Sequence, residues 1–295
     1  MTTTDHYHGM LVSPGSVRTV YRPLVKSGRF HAGKDCQIGD NVVIDVAEEC
    51  VIGDRCVIPD NTRIEGRRVT IGSDCFVYAW DWKRLDIGRG RRDDEHAILT
   101  IGDRCTLHDN RIDLAREVAI GNDVGLSPEV TIYTHGYWQS VLDGFPCSYE
   151  PVTVKDGAII GYRSTLLPGA LVGFNCVVGA HSVVVGALED ETVNAGVPAK
   201  YRHRVVEPDL GWKKATFGKI ADEYVASLRY RGHKNPMIVS DYPRIELVGH
   251  GWVDVETRTC HGDEDAYTDD LRWFCFTRGI RIYTRRPFRK LGRVV

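Results

Sequence analysis

The side chain best placed to move a proton is His135, which closes the run Val130-Thr131-Ile132-Tyr133-Thr134-His135. An imidazole titrating near neutrality can take a proton from a hydroxyl or amine as that group attacks a carbonyl. It can then return the proton to the leaving group. Acyl transfer of this kind needs no nucleophile from the protein. The residues that follow, Tyr137, Trp138, Phe145 and Tyr149, are aromatic and could stack on a sugar ring or pack against a neighbouring subunit. The plain alternative for His135 is a histidine in a surface loop. Its position at the exit of an apolar, periodic segment favours the chemical reading.

That periodicity is six residues. Val154, Ile160, Leu166, Val172, Val178 and Val184 are all aliphatic, and Ala158, Ser164, Ala170, Cys176 and Ser182 are all small. The same register holds at Ala32, Ile38 and Ile44, then after a two-residue slip at Val46, Ile52, Ile58 and Ile64, with shorter stretches from Ile71, Ile101 and Ile120. A six-residue repeat suits neither the α-helix nor an alternating strand. It fits a triangular coil in which each hexad is one short strand and one corner, the aliphatic residue pointing inward and the small one filling the corner. Stacked coils then share one narrow core, so three hexads make a coil of about 18 residues. The expected fold is an all-β solenoid, a left-handed parallel β-helix. Cys36, Cys50, Cys56, Cys75, Cys105 and Cys176 fall at the small corner position, where a thiol acts as a small buried hydrophobe and not as a metal ligand.

Two stretches interrupt the register. Ala79 to Leu99 carries Trp80-Asp81-Trp82 and a basic-acidic run from Arg89 to Glu95, and Tyr133 to Glu150 leaves just before the cleanest repeats. Loops leaving a rigid solenoid are favoured places for function. After Val205 the pattern changes. Helical spacing over Asp209–Arg231, strands at Ile245–Val248 and Trp252–Thr259, a helix over Asp263–Thr277 and a strand at Ile280–Thr284 predict a small α+β appendage. Three parts are therefore expected: a lead segment over 1–27, the β-helix over 28–205 and the appendage over 206–295.

Composition sets broad limits. With 42% hydrophobic and 26% charged residues, the 295-residue chain can bury a sizeable core. A net charge of −2 exerts no pull toward nucleic acid, and the cations between Arg278 and Arg293 read as a solvated tail. No segment approaches the roughly 18 apolar residues that span a bilayer, and the polar start from Met1 to Gly9 lacks a signal peptide's apolar stretch. Nine cysteines without metal-type spacing fit reduced thiols, so a cytoplasmic location is expected.

The stretch from Thr131 to Arg204 resembles the hexapeptide-repeat acyltransferases, and within them the sugar O-acetyltransferases. VTIYTH ends where that family places its catalytic histidine. PVTVKDGAIIG (151–161) is similar to its strand re-entry, LLPGALVGFNCVVGAHSVV (166–184) to its last full coil, and AGVPAKYRHR (195–204) to its closing segment. The resemblance implies an acyltransferase that moves an acetyl or other short acyl group from acyl-CoA, acetyl-CoA above all, to a hydroxyl or amine of a small saccharide. It implies His135 as base, Asn110 or Asp113 as the acceptor-orienting residue with Tyr137 and Trp138 beside it, and a homotrimer with CoA in the groove between subunits. Gly161, Ala180 and Lys200 are implicated in donor binding, with Arg202 or Arg204 as further phosphate contacts. No metal is expected. Ile159, Tyr162, His181 and Gly186 depart from the family's usual residues at the donor end. Two other readings are a trimeric β-helix scaffold without catalysis and a metal enzyme resembling γ-class carbonic anhydrase, with His108 and His135 as ligands.

Overall fold

The structure, a computed structural model, describes residues 23–78, 84–234, 236–284, 286 and 290–291. Most of the expected lead segment, the Trp80-Asp81-Trp82 stretch and part of the C-terminal basic run lie outside the described residues. The chain divides into two compact units between Val205 and Val206.

The first unit is a parallel β-solenoid of about eight turns. Its strands are mostly two residues long and stack into three walls. One wall runs from Gln37–Ile38 through Val57–Ile58, Phe76–Val77, Thr106–Leu107, Gly125–Leu126 and Ile159–Ile160 to Val177–Val178. The second carries Asp86–Ile87, Arg111–Ile112, Thr131–Ile132, Thr165–Leu166 and Val183–Val184. The third carries Ile98–Ile101, Val118–Ile120, Val152–Val154, Leu171–Val172 and Ala187–Leu188. Every aliphatic residue from Val154 to Val184 in the six-residue series is at most 1% exposed, as are the small residues from Ala158 to Ser182. Burying each such aliphatic side chain contributes about 1.5–3 kcal/mol. The register of the core is therefore strongly specified.

The corners recur in the left-handed region, at Asp35, Asn41, Asn61, Asp74, Asp123 and Asn175 among others, where short polar side chains tolerate positive φ. Stacked corners are tied by side chains reaching one coil down. Asp54 accepts from the Lys34 amide, Asp103 from the Ser73 amide, Asn122 from the Asp103 amide and Asp156 from the Asn122 amide. The thiols of Cys36, Cys56, Cys75 and Cys105 each donate to a glycine carbonyl of the next coil, and all nine cysteines are free. Two interruptions differ from expectation. The slip between Ile44 and Val46 falls inside one long strand, Val43–Ile52, whose register with the next coil shifts only after it, between Val46 and Glu49. Inside Ala79–Leu99 the chain returns to the wall as the strand Asp86–Ile87.

The second unit packs helices α1 (Leu210–Tyr230) and α2 (Ala266–Phe276) with a four-stranded antiparallel sheet. The expected strand over Trp252–Thr259 is two strands, Gly251–Asp254 and Thr259–Gly262. Asp254 accepts from the Glu256 and Thr257 amides and closes a turn between them. Ile280–Thr284 is not a strand: the Ile282 carbonyl is taken by the buried Arg272 guanidinium. The first strand of this sheet, Ile238–Asp241, was not signalled by the pattern. Among the described residues, no helix is long and apolar enough to cross a membrane.

Candidate active site

Two neighbouring coils leave the second wall at the same corner. Arg111 pairs with Thr131 and Ile112 with Ile132, so Asp113 and Tyr133 step off the wall together, and the Asp113 amide donates to the Ile132 carbonyl. Thr134 and His135 follow at that corner. Here the chain leaves the solenoid as a hairpin, with His135–Gly136 antiparallel to Ser148–Tyr149. A short 3-10 turn, Val141–Asp143, sits in the loop, capped by Ser140 and ended by Gly144 in the left-handed region. The Glu150 amide donates to the Thr134 carbonyl, and the coil resumes at Val152.

The corner brings Asp113 and His135 into contact. Asp113 Oδ2 lies 2.6 Å from His135 Nδ1, and it also accepts from the Thr134 hydroxyl at 2.6 Å and the Thr134 amide at 3.1 Å. Thr134 is fully buried, and its Oγ1 accepts the Arg116 amide from the coil below. Burial pushes the Asp113 carboxyl up, but the hydrogen bonds from Thr134 and His135 outweigh it and hold the group below the usual aspartate value. An ionised Asp113 can only accept a hydrogen bond at this contact, so Nδ1 carries the hydrogen. That fixes the tautomer and leaves Nε2 as the nitrogen that can take up a proton.

Aromatic rings surround the imidazole. Tyr149, directly across the hairpin, has its ring 5.8 Å from that of His135, and Tyr137 lies 5.6 Å from His135 and 5.8 Å from Tyr149. Trp138 is 91% exposed, and so does not pack on this cluster from within the chain. Asn110 is placed differently from the acceptor-orienting role held open for it. It is buried, accepts the His108 amide and donates to the Ser127 carbonyl, so its side chain ties coils together. His108 packs its ring against Tyr78, and among the described residues no group of three metal-capable side chains forms.

The residues implicated in donor binding are spread along the last coils. A side chain at Gly161 would meet the Ala180 amide at 2.5 Å and the Val178 carbonyl at 2.7 Å, so glycine there allows the close approach of two coils. Ala180 is exposed on that next coil. Lys200, Arg202 and Arg204 belong to the strand Lys200–Arg204, antiparallel to Thr192–Ala195. Arg202 donates to the Ala195 carbonyl and Arg204 lies 3.8 Å from Glu189, whereas Lys200 has no carboxylate partner among the described residues. A shallow groove of about 510 Å³ beside this strand is lined by Leu188, Thr192, Asn194, Tyr201 and Arg204, and one of about 410 Å³ by Ile120, Thr153, Lys155 and Phe174. Neither groove includes His135.

No family model matches the chain. Over 90 residues it is 36% identical to a Saccharomyces cerevisiae protein assigned as an acetyltransferase, a match covering 30% of this chain and 45% of that one. Over 64 residues it is 41% identical to Escherichia coli WbbJ, assigned as an O-acetyltransferase of lipopolysaccharide biosynthesis, covering 22% and 33% respectively. Over these stretches the chain is similar to acetyltransferases. It spans less than half the length of either of these acetyltransferase relatives. Among solved structures, the polysialic-acid-specific acetyltransferase NeuO aligns over 72% of this chain and 100% of its own, at 17% identity and a TM-score of 0.41.

Proposed function

We propose that the chain transfers an acetyl or other short acyl group from acyl-CoA to a hydroxyl or amine of a sugar-like molecule, with His135 as general base. The observation that carries this reading is the 2.6 Å contact of Asp113 with His135 Nδ1 at the mouth of an extruded loop. The acceptor's oxygen or nitrogen attacks the thioester carbonyl while its proton passes to His135 Nε2. The C–S bond then breaks, and the imidazolium returns the proton to the departing thiolate. Asp113 stabilises the imidazolium between these two transfers. Tyr137 and Tyr149 offer apolar faces on which a sugar ring can stack, beside the same nitrogen.

Lys200, exposed and without a carboxylate partner among the described residues, is the cation best disposed toward a CoA phosphate. Gly161 and Ala180 would line the path of the pantetheine arm. Trp138 at 91% exposure and Leu142 at 93% exposure leave an apolar arm for a neighbouring copy to cover, in keeping with a homotrimer. The cytoplasmic location expected from the sequence belongs to this proposal, supported by the nine free cysteines. The test is thiol release from acetyl-CoA by the purified chain, with hydroxy- and amino-sugars added in turn and the mass in solution read by light scattering. Acceptor-dependent release by a trimer is expected. A stable monomer, or release that no acceptor accelerates, would contradict the reading.

A further inference from the structure

The basic-acidic run from Arg89 to Glu95 is not used by the proton transfer, yet the fold carries it to the same corner. After Asp86–Ile87 the chain turns at Gly88 and Gly90, both in the left-handed region. A Cβ on Gly88 would collide with the Glu65 carbonyl at 2.0 Å. The Gly90 amide is held by the buried carboxylate of Glu65, which Arg63 also contacts. Short turns then close from Arg91 to Gly88, Asp94 to Arg91 and Ala97 to Asp94, and Arg92 is fixed on Asp45 at 2.6 Å. The loop is thus built around Arg91. Its guanidinium lies 3.7 Å from Asp113 Oδ1 and 3.5 Å from Asp94, two long contacts that leave most of its donors open.

A second guanidinium comes from the next coil. Arg116 donates to its own neighbour's carbonyl at Ala115, and its charge sits 4.9 Å from the Tyr149 ring centre. No carboxylate among the described residues pairs with it. The same Tyr149 ring lies 5.8 Å from the His135 ring. The Tyr149 hydroxyl feels both cations: desolvation and then Tyr137 and Cys147 raise its pKa, while Arg91 and Arg116 oppose the rise. Among the described residues, Asp113 and Asp94 are the carboxylates that contact Arg91, and Asp113 Oδ2 is already occupied by Thr134 and His135.

We infer that Arg91 and Arg116 bind an oxyanion carried by the acceptor, a carboxylate or a phosphate group, while the sugar ring lies on Tyr149 within reach of His135. A neutral acceptor would leave Arg116 half-buried without a counter-charge, whereas planar guanidinium donors match a carboxylate or phosphate. This substrate class rests on the acyl-transfer reading, but binding can be read apart from turnover.

The experiment titrates the full chain with glucose, glucuronate and glucose 1-phosphate by calorimetry, and repeats it with Arg116→Gln, Arg91→Gln and Arg116→Lys. One or both charged sugars are expected to bind more tightly than glucose. Each Gln variant should weaken the charged ligand on the order of 10- to 100-fold, the usual worth of a charge-assisted contact, and Arg116→Lys should recover part of the loss. Which charged sugar binds decides between carboxylate and phosphate. In thiol-release assays with the better anionic sugar, the Gln variants should raise the acceptor KM by a larger factor than they lower kcat, and leave the KM for acetyl-CoA nearly unchanged. Glucose binding as well as both charged sugars, or Gln variants that bind the anion as wild type does, would overturn the inference even if acyl transfer is observed. Selective anion binding without any thiol release would leave the anion site standing and remove the acyl-transfer reading instead.

Discussion

Asp113 is the residue on which the proposed chemistry turns, because a histidine acts as a base at Nε2 in the tautomer protonated at Nδ1, and Asp113 selects and orients that tautomer. Asp113→Asn keeps the size of the side chain and removes the charge that stabilises the imidazolium. It should lower kcat by roughly 10²–10⁴-fold with little change in either KM, measured by steady-state thiol release. The same substitution has a signature in stability. A carboxyl whose folded pKa lies below its unfolded value of about 3.9 contributes stability above that pH, and the contribution is lost as pH falls through the depressed folded value. Wild type should therefore lose stability to urea more steeply than Asp113→Asn below about pH 4, and parallel curves would deny Asp113 its hydrogen-bonded charge. The place of His135, where the chain leaves the wall, was legible from its position at the end of a repeat strand. Which of Asn110 and Asp113 lies beside His135 was not, because it depends on which residue one coil earlier lies beneath Thr134, a matter of coil length that the six-residue period leaves open. The pairing of Ile112 with Ile132 supplies it. The run that carries Arg91 stood out as an interruption, but nothing in its spacing showed that Glu65 would anchor it beside Asp113.

Among the elements, the short strands were legible because their aliphatic residues have a single solution: each points into a core too narrow for polar side chains, at the period the coil imposes. The register failed where local backbone bonding outcompetes the pattern. Ile280–Thr284 has the residues of a strand, yet its carbonyl at Ile282 is claimed by Arg272. Trp252–Thr259 is cut by the Asp254 turn. The closing strand Lys200–Arg204 is the element with the clearest functional forecast. It pairs with the last coil through its backbone and leaves the Lys200 ammonium without a carboxylate partner among the described residues. Lys200→Glu should weaken CoA by roughly 1–3 kcal/mol, the worth of a charge-assisted contact, without altering the fold. Calorimetry with CoA checks this, and unchanged affinity would shift the phosphate contact to Arg202 or Arg204.

At the scale of the whole molecule, a rigid stack of coils fixes the corner at which Asp113, His135 and Tyr149 meet, while the hairpin supplies the aromatic faces and leaves the proton acceptor at the surface. That separation of scaffold from chemistry makes the central claim open to a direct measurement. His135→Ala removes a side chain that leaves the wall and does not fill the core, so folding, assembly and CoA affinity should be preserved. The kcat for acceptor-dependent thiol release from acetyl-CoA should fall by about 10²–10⁴-fold, the usual contribution of a positioned general base. A folded His135→Ala protein with near-wild-type kcat would contradict the account.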